Sequence, residues 1–400
     1  MNHVFVVNAG SSSLKYQLIN MDTEKCLVSG NCERIGIPGG FITYKHNGQK
    51  YRFELDMPVH KVGLDAVVKL LMEGDTKVID SMDDIVAVGH RMAFSLSQSN
   101  EITDEVLADI ESHVDMFPLH LPAMITGIKA CRQTFAGKVQ VAVYDNSFHL
   151  DMPQKAHVYA IPYEYYEKYE IRRYGYHGTS HRYVVNRLAK LLGKPVDQLK
   201  VVSCHLGNGS SIAAVDCGHS IDTTMGYTPL AGLMMGTRCG DIDPALISTI
   251  AQKENLTLEE VHSILNKKSG LLGISGVSSD ARDVVEAMDA GNERAALACH
   301  MLRYQIKKYI GAYTAAMGGL DAVIFTGGMG ENSPDLREEV CEGMGYFGID
   351  LDLEKNKGLR GKETNLTMPG ARTQVWLIPT NEELMIAQDA YNIYLQKQKG

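Results

Sequence analysis

The 400-residue chain contains no C-x-x-C pair, no block of lysine or arginine, and no long uninterrupted apolar run. Each absence narrows what it can be. Eight cysteines are scattered, and some sit inside apolar stretches (Cys204, Cys299). That pattern argues against a disulfide framework or a zinc site and fits a reducing compartment. The net charge is −9, without the basic cluster that tracks a phosphate backbone, so nucleic acid is not an expected partner. No apolar stretch approaches the roughly 18 residues of a membrane span. The chain enters an apolar run almost at once, with no basic leader. The expectation is a soluble, cytoplasmic protein. One nucleotide signature is missing as well: G-x-x-x-x-G-K-[ST] does not occur.

What is present is a set of apolar runs that end in small or polar residues. They are VFVVNAGSSS from position 4, DIVAVGHR from 84, KVQVAVYDNSFH from 138, KVVSCHLGNGSS from 200, DAVIFTGGMGEN from 321 and TQVWLIPTNEE from 373. Near-continuous Val/Ile/Ala runs predict strands buried on both faces, as in a largely parallel sheet covered by helices. Helical patterns lie between them, over 180–193, 243–255 and 292–319; the first and last close on glycine. The stretch 41–55 reads as an exposed hairpin. The class is α/β. VFVVNAGSSSLKYQLI and VVSCHLGNGSSIAAVD share one plan, strand, small-residue turn, strand, about 200 residues apart. The repeat predicts a duplicated domain facing its copy across a cleft, with a boundary near 145–155. The domains expected are 1–150, joined by a C-terminal helix over 385–400, and 151–384.

In open α/β sheets, ligands bind beyond the carboxyl ends of the strands. Those ends carry Asn8 and Ser11–Ser13, His90-Arg91, Asp145, His205 and Asn208, Gly327–Asn332 and Asn381-Glu382-Glu383. The inventory suits a polyphosphate with a metal ion. One small-residue turn alone is weak evidence; three, two of them in a repeat, favour phosphate. Arg91 and Arg238 present planar forks suited to carboxylate or phosphate oxygens. In YGYHGTSH, Thr179-Ser180 reads as an N-cap. His177 and His181 have the spacing of a metal pair, but no third zinc ligand follows, so zinc is rejected. His177 is a candidate donor to a transferring phosphoryl group, and His181 reads as structural. Asp145 and Glu382 are candidate Mg²⁺ carboxylates, and Asp280 reads as a helix cap.

VVNAGSSSLKYQL, VVSCHLGNGSSIAAVDCG, GHR, PLH-x-PA, YGYHGTSHRYV, MGTRCGDIDP, SGLLGISGVSSDARD, FTGGMGENS and IPTNEELMIAQDA together resemble the acetate kinase family over nearly the whole chain. The resemblance implies a duplicated actin-like ATPase (ribonuclease H-like) fold flanking an active-site cleft, shared with sugar kinases. It also implies a homodimer and reversible Mg-ATP-dependent phosphorylation of a short-chain carboxylate, with Mn²⁺ as a substitute metal. By motif, Asn8 and Glu382 resemble the magnesium-associated residues and Lys15 an ATP contact. Arg91 resembles the carboxylate-binding arginine, Asp145 the assigned acid/base residue, and His177 and Arg238 the transition-state stabilisers. His205, Leu206, Gly207, Asn208 and Gly209 resemble one nucleotide-binding segment. Asp280, Ala281 and Arg282 resemble a second, and Gly328, Met329, Gly330, Glu331 and Asn332 a third. The Ser-rich turn would then face the ATP phosphates as one half of a clamp.

The chain departs from the family beside the expected carboxylate pocket. Met92 to Ser97 replace the usual small apolar pair and HGGE, Leu121 replaces Asn in PLHNPA, Tyr176 replaces Phe, and DTAFH is DNSFH. Positions matching the apolar cup are Ala93, Leu119, Tyr176 and Pro229. Ala93 stands where acetate kinases often have Val and propionate kinases often have Ala. The leading expectation is an acetate kinase that also accepts propionate, and the alternative is a propionate kinase. A nucleotide-binding regulator on the same fold is disfavoured because Arg91, Asp145, His177, Arg238 and Glu382 are all retained.

Overall fold

The computed structural model describes residues 2–93, 97–114 and 121–399. Chain contacts divide into two compact units, Met1–Ser147 with Asn381–Gly400, and Phe148–Thr380.

The first unit is built on an eight-stranded sheet. Its strands are β1 (His3–Ala9), β2 (Ser13–Asn20), β3 (Lys25–Glu33), β4 (Phe41–His46), β5 (Gln49–Glu54), β6 (Ile85–Met92), β7 (Asn100–Glu101) and β8 (Val139–Tyr144). They lie in the order β5-β4-β3-β2-β1-β6-β8-β7. The expected hairpin over 41–55 is β4–β5. On one face Phe5, Val7 and Tyr16 pack against Leu64, Val67 and Leu71 of helix His60–Met72 and against Ala130 and Cys131 of helix Leu121–Thr134. Helix Glu382–Lys399 lies on β1, β6 and β8. Gly89 in β6 makes that close approach feasible, because a Cβ there would stand 2.7 Å from Ile386 Cγ2.

The second unit holds a six-stranded sheet of β9 (Lys200–Leu206), β10 (Ser210–Asp216), β11 (His219–Thr223), β12 (Ala322–Thr326), β13 (Thr364–Asn365) and β14 (Gln374–Leu377). Their order is β11-β10-β9-β12-β14-β13. Alternation along β9 sorts its neighbours. Val202, Cys204 and Leu206 share the core of helix Glu293–Met317, whereas Val201 meets Val184, Val185 and Leu188 of helix Gly178–Leu192.

The two sheets repeat one topology. In each, an antiparallel meander (β1–β2–β3; β9–β10–β11) is extended by two strands parallel to its first (β6 and β8; β12 and β14). This is the duplicated actin-like plan. The expectation of a largely parallel sheet needs correction, because both sheets are mixed. Short turns can join only antiparallel neighbours, whereas β6, β8, β12 and β14 follow helical crossovers and enter parallel. Among the described residues, no helix is long and apolar enough to cross a membrane.

Candidate functional site

In the first unit, β1 and β6 run parallel with Val7 opposite His90, which sets Asn8 and Arg91 at neighbouring strand ends. Arg91 is the penultimate residue of β6, not a residue beyond it. Asp145 follows β8 and donates its N–H to the Met92 carbonyl at 2.9 Å. Arg91 reaches two carboxylates: Nη2 lies 3.4 Å from Asp145 Oδ2 and Nε lies 3.6 Å from Glu382 Oε2. Asp145 is buried. Glu382 opens helix Glu382–Lys399, where the helix dipole favours an acid.

The electrostatics are unbalanced. Burial, then the charge on Asp145, raises the Glu382 pKa to about 7 despite Arg91. The Asp145 carboxylate in turn raises the pKa of Arg91. Two acids sharing one guanidinium in a poorly hydrated corner leave excess negative charge that a divalent cation would relieve. Among the described residues, no group of three or more His, Cys, Asp or Glu side chains is placed to hold a metal. A pair of carboxylates is the donor set that suits Mg²⁺, a hard ion that takes few protein ligands and keeps water. Asn8 is half-buried beside this corner's strands and Lys15, paired with it in register, is exposed. Ala93 is half-buried against the Met92, Ile102 and Tyr144 cluster. Leu119, like Phe94, Ser95 and Leu96, lies outside the described residues.

In the second unit, three separate segments line one cavity of ≈ 860 Å³: Gly207 and Asn208, then Asp280, Ala281 and Arg282, then Gly328, Met329 and Asn332. Asp280 caps its helix by accepting the Arg282 N–H at 2.9 Å, and pairs with the Arg282 side chain. Other members of these motifs do different work. The Leu206 side chain is in the core. The Glu331 carboxylate accepts N–H groups from Gly327 (2.9 Å) and Thr380 (3.1 Å). Behind Gly330, the fully buried Arg337 donates to the Gly330 carbonyl at 2.8 Å, and also to Asn356 and Leu359.

His177 and Arg238 come together over the turn between β9 and β10. A Cβ built on Gly209 would lie 3.5 Å from Arg238 Nη1 and 3.6 Å from His177 Nε2. The glycine thus leaves space between the Arg238 guanidinium and the His177 ring. Arg238 also donates to the Pro229 carbonyl at 3.2 Å, and burial lowers its pKa. Nearby, Tyr176 packs with Met225 and Met235 and donates its hydroxyl to the Tyr227 carbonyl at 3.0 Å.

The N-cap expected at Thr179-Ser180 is not there. Helix Gly178–Leu192 begins two residues earlier, with His177 as cap in the left-handed region (φ 59°) and without a side-chain cap bond. Both residues lie in the first turn, and Ser180 Oγ instead meets His205 Nδ1 and Thr380 Oγ1, each at 2.7 Å. The sequence reading missed Ser211 and Ser203, which bond the rings of His177 and His181, and Arg337. Ser211 was in view within GNGSS; Arg337 gave no signal, since DLREEV reads as an exposed helical face.

The family model described as the acetokinase family matches residues 3–388. The chain belongs to the acetokinase family. An acetate kinase of Halothermothrix orenii is 52% identical over 394 residues, covering 98% of this chain and 99% of the relative. One from Desulfitobacterium hafniense is 52% identical over 401 residues, covering 99% and 100%. Among solved structures, the Porphyromonas gingivalis acetate kinase superposes with a TM-score of 0.93 at 44% identity, covering 98% of this chain and 100% of that one. A propionate kinase from Francisella tularensis gives 0.88 at 39% identity, with the same coverage.

Proposed function

We propose that the chain is an acetate kinase that transfers the γ-phosphoryl group of ATP directly to acetate, and reversibly from acetyl phosphate to ADP. The single observation that carries this reading is the ≈ 860 Å³ cavity of the second unit, which gathers three motif segments from positions 207 to 332. It is large enough for a nucleotide.

A small carboxylic acid has a pKa of about 4, so the acceptor is already an anion at neutral pH and needs no general base. The barrier is repulsion between that anion and the phosphates, together with charge on the transferring group. Arg91 would bind the carboxylate, with Asp145 and Glu382 orienting its guanidinium. His177 and Arg238 would donate to the oxygens of the transferring phosphoryl group, stabilising charge as it shifts. Asp145, Glu382 and Asn8 fit Mg²⁺, with Mn²⁺ as a substitute; when bound, the ion would neutralise phosphate oxygens. In this reading Asp145 orients and moves no proton. Ala93, Tyr176, Pro229 and Leu119 would shape the cup around the substrate's alkyl end. Lys15 would contact ATP, and the segments 205–209, 280–282 and 328–332 would hold the nucleotide. The homodimer rests on the family resemblance, and a cytoplasmic site on the scattered free cysteines.

A propionate kinase is the second reading, favoured by Ala93, whose methyl leaves room for one more carbon. A regulator without transfer activity is disfavoured, because a nucleotide sensor needs no half-buried arginine held for a carboxylate. The test is acyl phosphate trapped with hydroxylamine under Mg-ATP, comparing kcat/KM for acetate, propionate and butyrate. Acetate as the best substrate supports the first reading and propionate the second. No product with any acid, while ATP still binds, refutes both.

A further inference from the structure

The second unit buries three polar residues that the reaction scheme leaves unused, Ser203, Ser211 and His181. Along β9, Ser203 and His205 point to the same face, and Ser211 of β10 stands opposite His205. That face is otherwise apolar, yet Ser203, Ser211 and His181 are fully buried. Buried hydroxyls and imidazoles are costly unless bonded. Here they bond to each other. Ser211 Oγ lies 2.9 Å from His177 Nδ1 and 2.7 Å from His181 Nε2, and His181 Nδ1 lies 2.9 Å from Ser203 Oγ.

The chain Ser203–His181–Ser211–His177 has two polarities in which the buried Ser211 proton is bonded; a third, with Ser211 accepting from both rings, leaves that proton without an acceptor within the chain, at a cost. A serine hydroxyl carries one proton, and a neutral imidazole carries one N–H. Burial, with His149 and His205 nearby, drives the His181 pKa well below its usual value, so the ring is neutral. In one polarity the Ser203 hydroxyl donates to His181 Nδ1, His181 Nε2–H donates to Ser211, and the Ser211 hydroxyl donates to His177 Nδ1. His177 then carries its proton on Nε2, the nitrogen on the Gly209 side beside Arg238. In the other polarity every bond reverses, and a neutral His177 turns a lone pair to that side. A lone pair would repel phosphoryl oxygens; an N–H would bind them.

We propose that Ser203, His181 and Ser211 are positioning residues whose hydrogen bonds hold His177 in the Nε2–H tautomer, so that a neutral imidazole presents a donor to the transferring phosphoryl group. The proposal rests on the acyl phosphate reading for the identity of that group. The physical basis is general: which ring nitrogen carries the proton is set by the bond its partner nitrogen makes. The stacked His205 ring, 4.2 Å from His177 between centroids, restrains the ring plane and leaves the choice of tautomer to Ser211.

The experiment reads the tautomer directly. Long-range ¹H–¹⁵N correlation spectra of the full chain with ring-¹⁵N histidine, assigned by the signal lost in His177→Asn, distinguish Nε2–H from Nδ1–H. The expected result is Nε2–H in the wild type, with a shift towards Nδ1–H in Ser211→Ala and a smaller shift in Ser203→Ala. The Ser203 variant touches neither His177 nor substrate, so a purely structural role would leave the tautomer unmoved. It also carries the test where Ser211→Ala does not fold. Turnover in Ser211→Ala should fall about 10–100-fold with KM little changed, the scale seen when an orienting partner of a working histidine is removed. A wild-type Nδ1–H tautomer, or a tautomer unchanged by Ser203→Ala and any folded Ser211→Ala, overturns the proposal. A wild type that forms no acyl phosphate would sink the functional reading instead, and the spectra would still decide the tautomer.

Discussion

Glu331 and Thr380 are joined by a hydrogen bond from the Thr380 N–H to the Glu331 carboxylate at 3.1 Å. The same oxygen accepts the Gly327 N–H at 2.9 Å. One carboxylate therefore ties the glycine-rich segment after β12 to the last residue of the second unit. Charge-assisted bonds of this kind contribute about 1.5–3 kcal/mol. Glu331→Ala should raise the KM for ATP about tenfold and lower the thermal midpoint, while KM for the carboxylate stays near wild type. Steady-state kinetics with calorimetry will check it; an unchanged KM for ATP would show that the tie is idle.

Gly209→Ala isolates the space between His177 and Arg238. The new methyl would sit 3.5 Å and 3.6 Å from the two side chains, in ordinary van der Waals contact, so the fold should tolerate it. It would also fill the place assigned to the transferring group. Turnover should fall by about 100-fold or more, the scale of losing an oxyanion donor, with ATP affinity by calorimetry changed far less. Wild-type turnover in the variant would remove that space from the active site.

Ala93→Val should lower the propionate-to-acetate ratio of kcat/KM by about tenfold or more, since one methylene discriminates by about 1–3 kcal/mol. Competition between the two acids for acyl phosphate formation measures it. A ratio that does not move would mean that residue 93 does not touch the substrate's alkyl end.

Arg337 is fully buried and held by Asn356 Oδ1 and the carbonyls of Gly330 and Leu359, each at 2.8 Å. Arg337→Met leaves those buried acceptors without their donor, at about 1–3 kcal/mol for each acceptor left unsatisfied. Urea unfolding should show that loss, and Arg337→Lys should recover little, because an ammonium cannot reproduce the planar fork.

Stability should weaken in mild acid. Burial pulls the His90 pKa down to about 4, only partly opposed by its 2.7 Å bond to Gln140. The unfolded chain titrates near the ordinary value of about 6.5. Between those values the unfolded state binds the proton that the folded state refuses. The contribution is therefore complete above pH 6.5 and lost as pH falls to about 4, amounting to about 3 kcal/mol. His181 acts in the same direction. Urea midpoints from pH 8 to 4 should fall, and His90→Gln should flatten part of the slope. A midpoint independent of pH across that window would contradict the neutral buried ring.

Much of this was legible in the linear chain. The Val/Ile runs that end in Asn8, Arg91, Asp145 and Asn208 announced buried strands carrying chemistry at one end, and the twin hairpins announced duplication. Those patterns are local, fixed by side-chain alternation and turn residues. The sheets' mixed pairing was not legible, because direction depends on which crossover returns to which edge. Nor was the true start of the helix at Gly178. Thr179 and Ser180 look like caps in sequence, but His205 and Thr380 claim the Ser180 hydroxyl.

The sequence by itself determined the family, the α/β class and the inventory of charged and small residues at the strand ends. Only the tertiary structure decided that Glu382, about 290 residues from Arg91 in the chain, shares that guanidinium with Asp145. It alone set Ser211 between two histidines and buried Arg337 behind Gly330. Such contacts are made by folding across long separations, and burial changes the ionisation of the groups involved. Both are properties of the packed chain, and neither can be read from residue order.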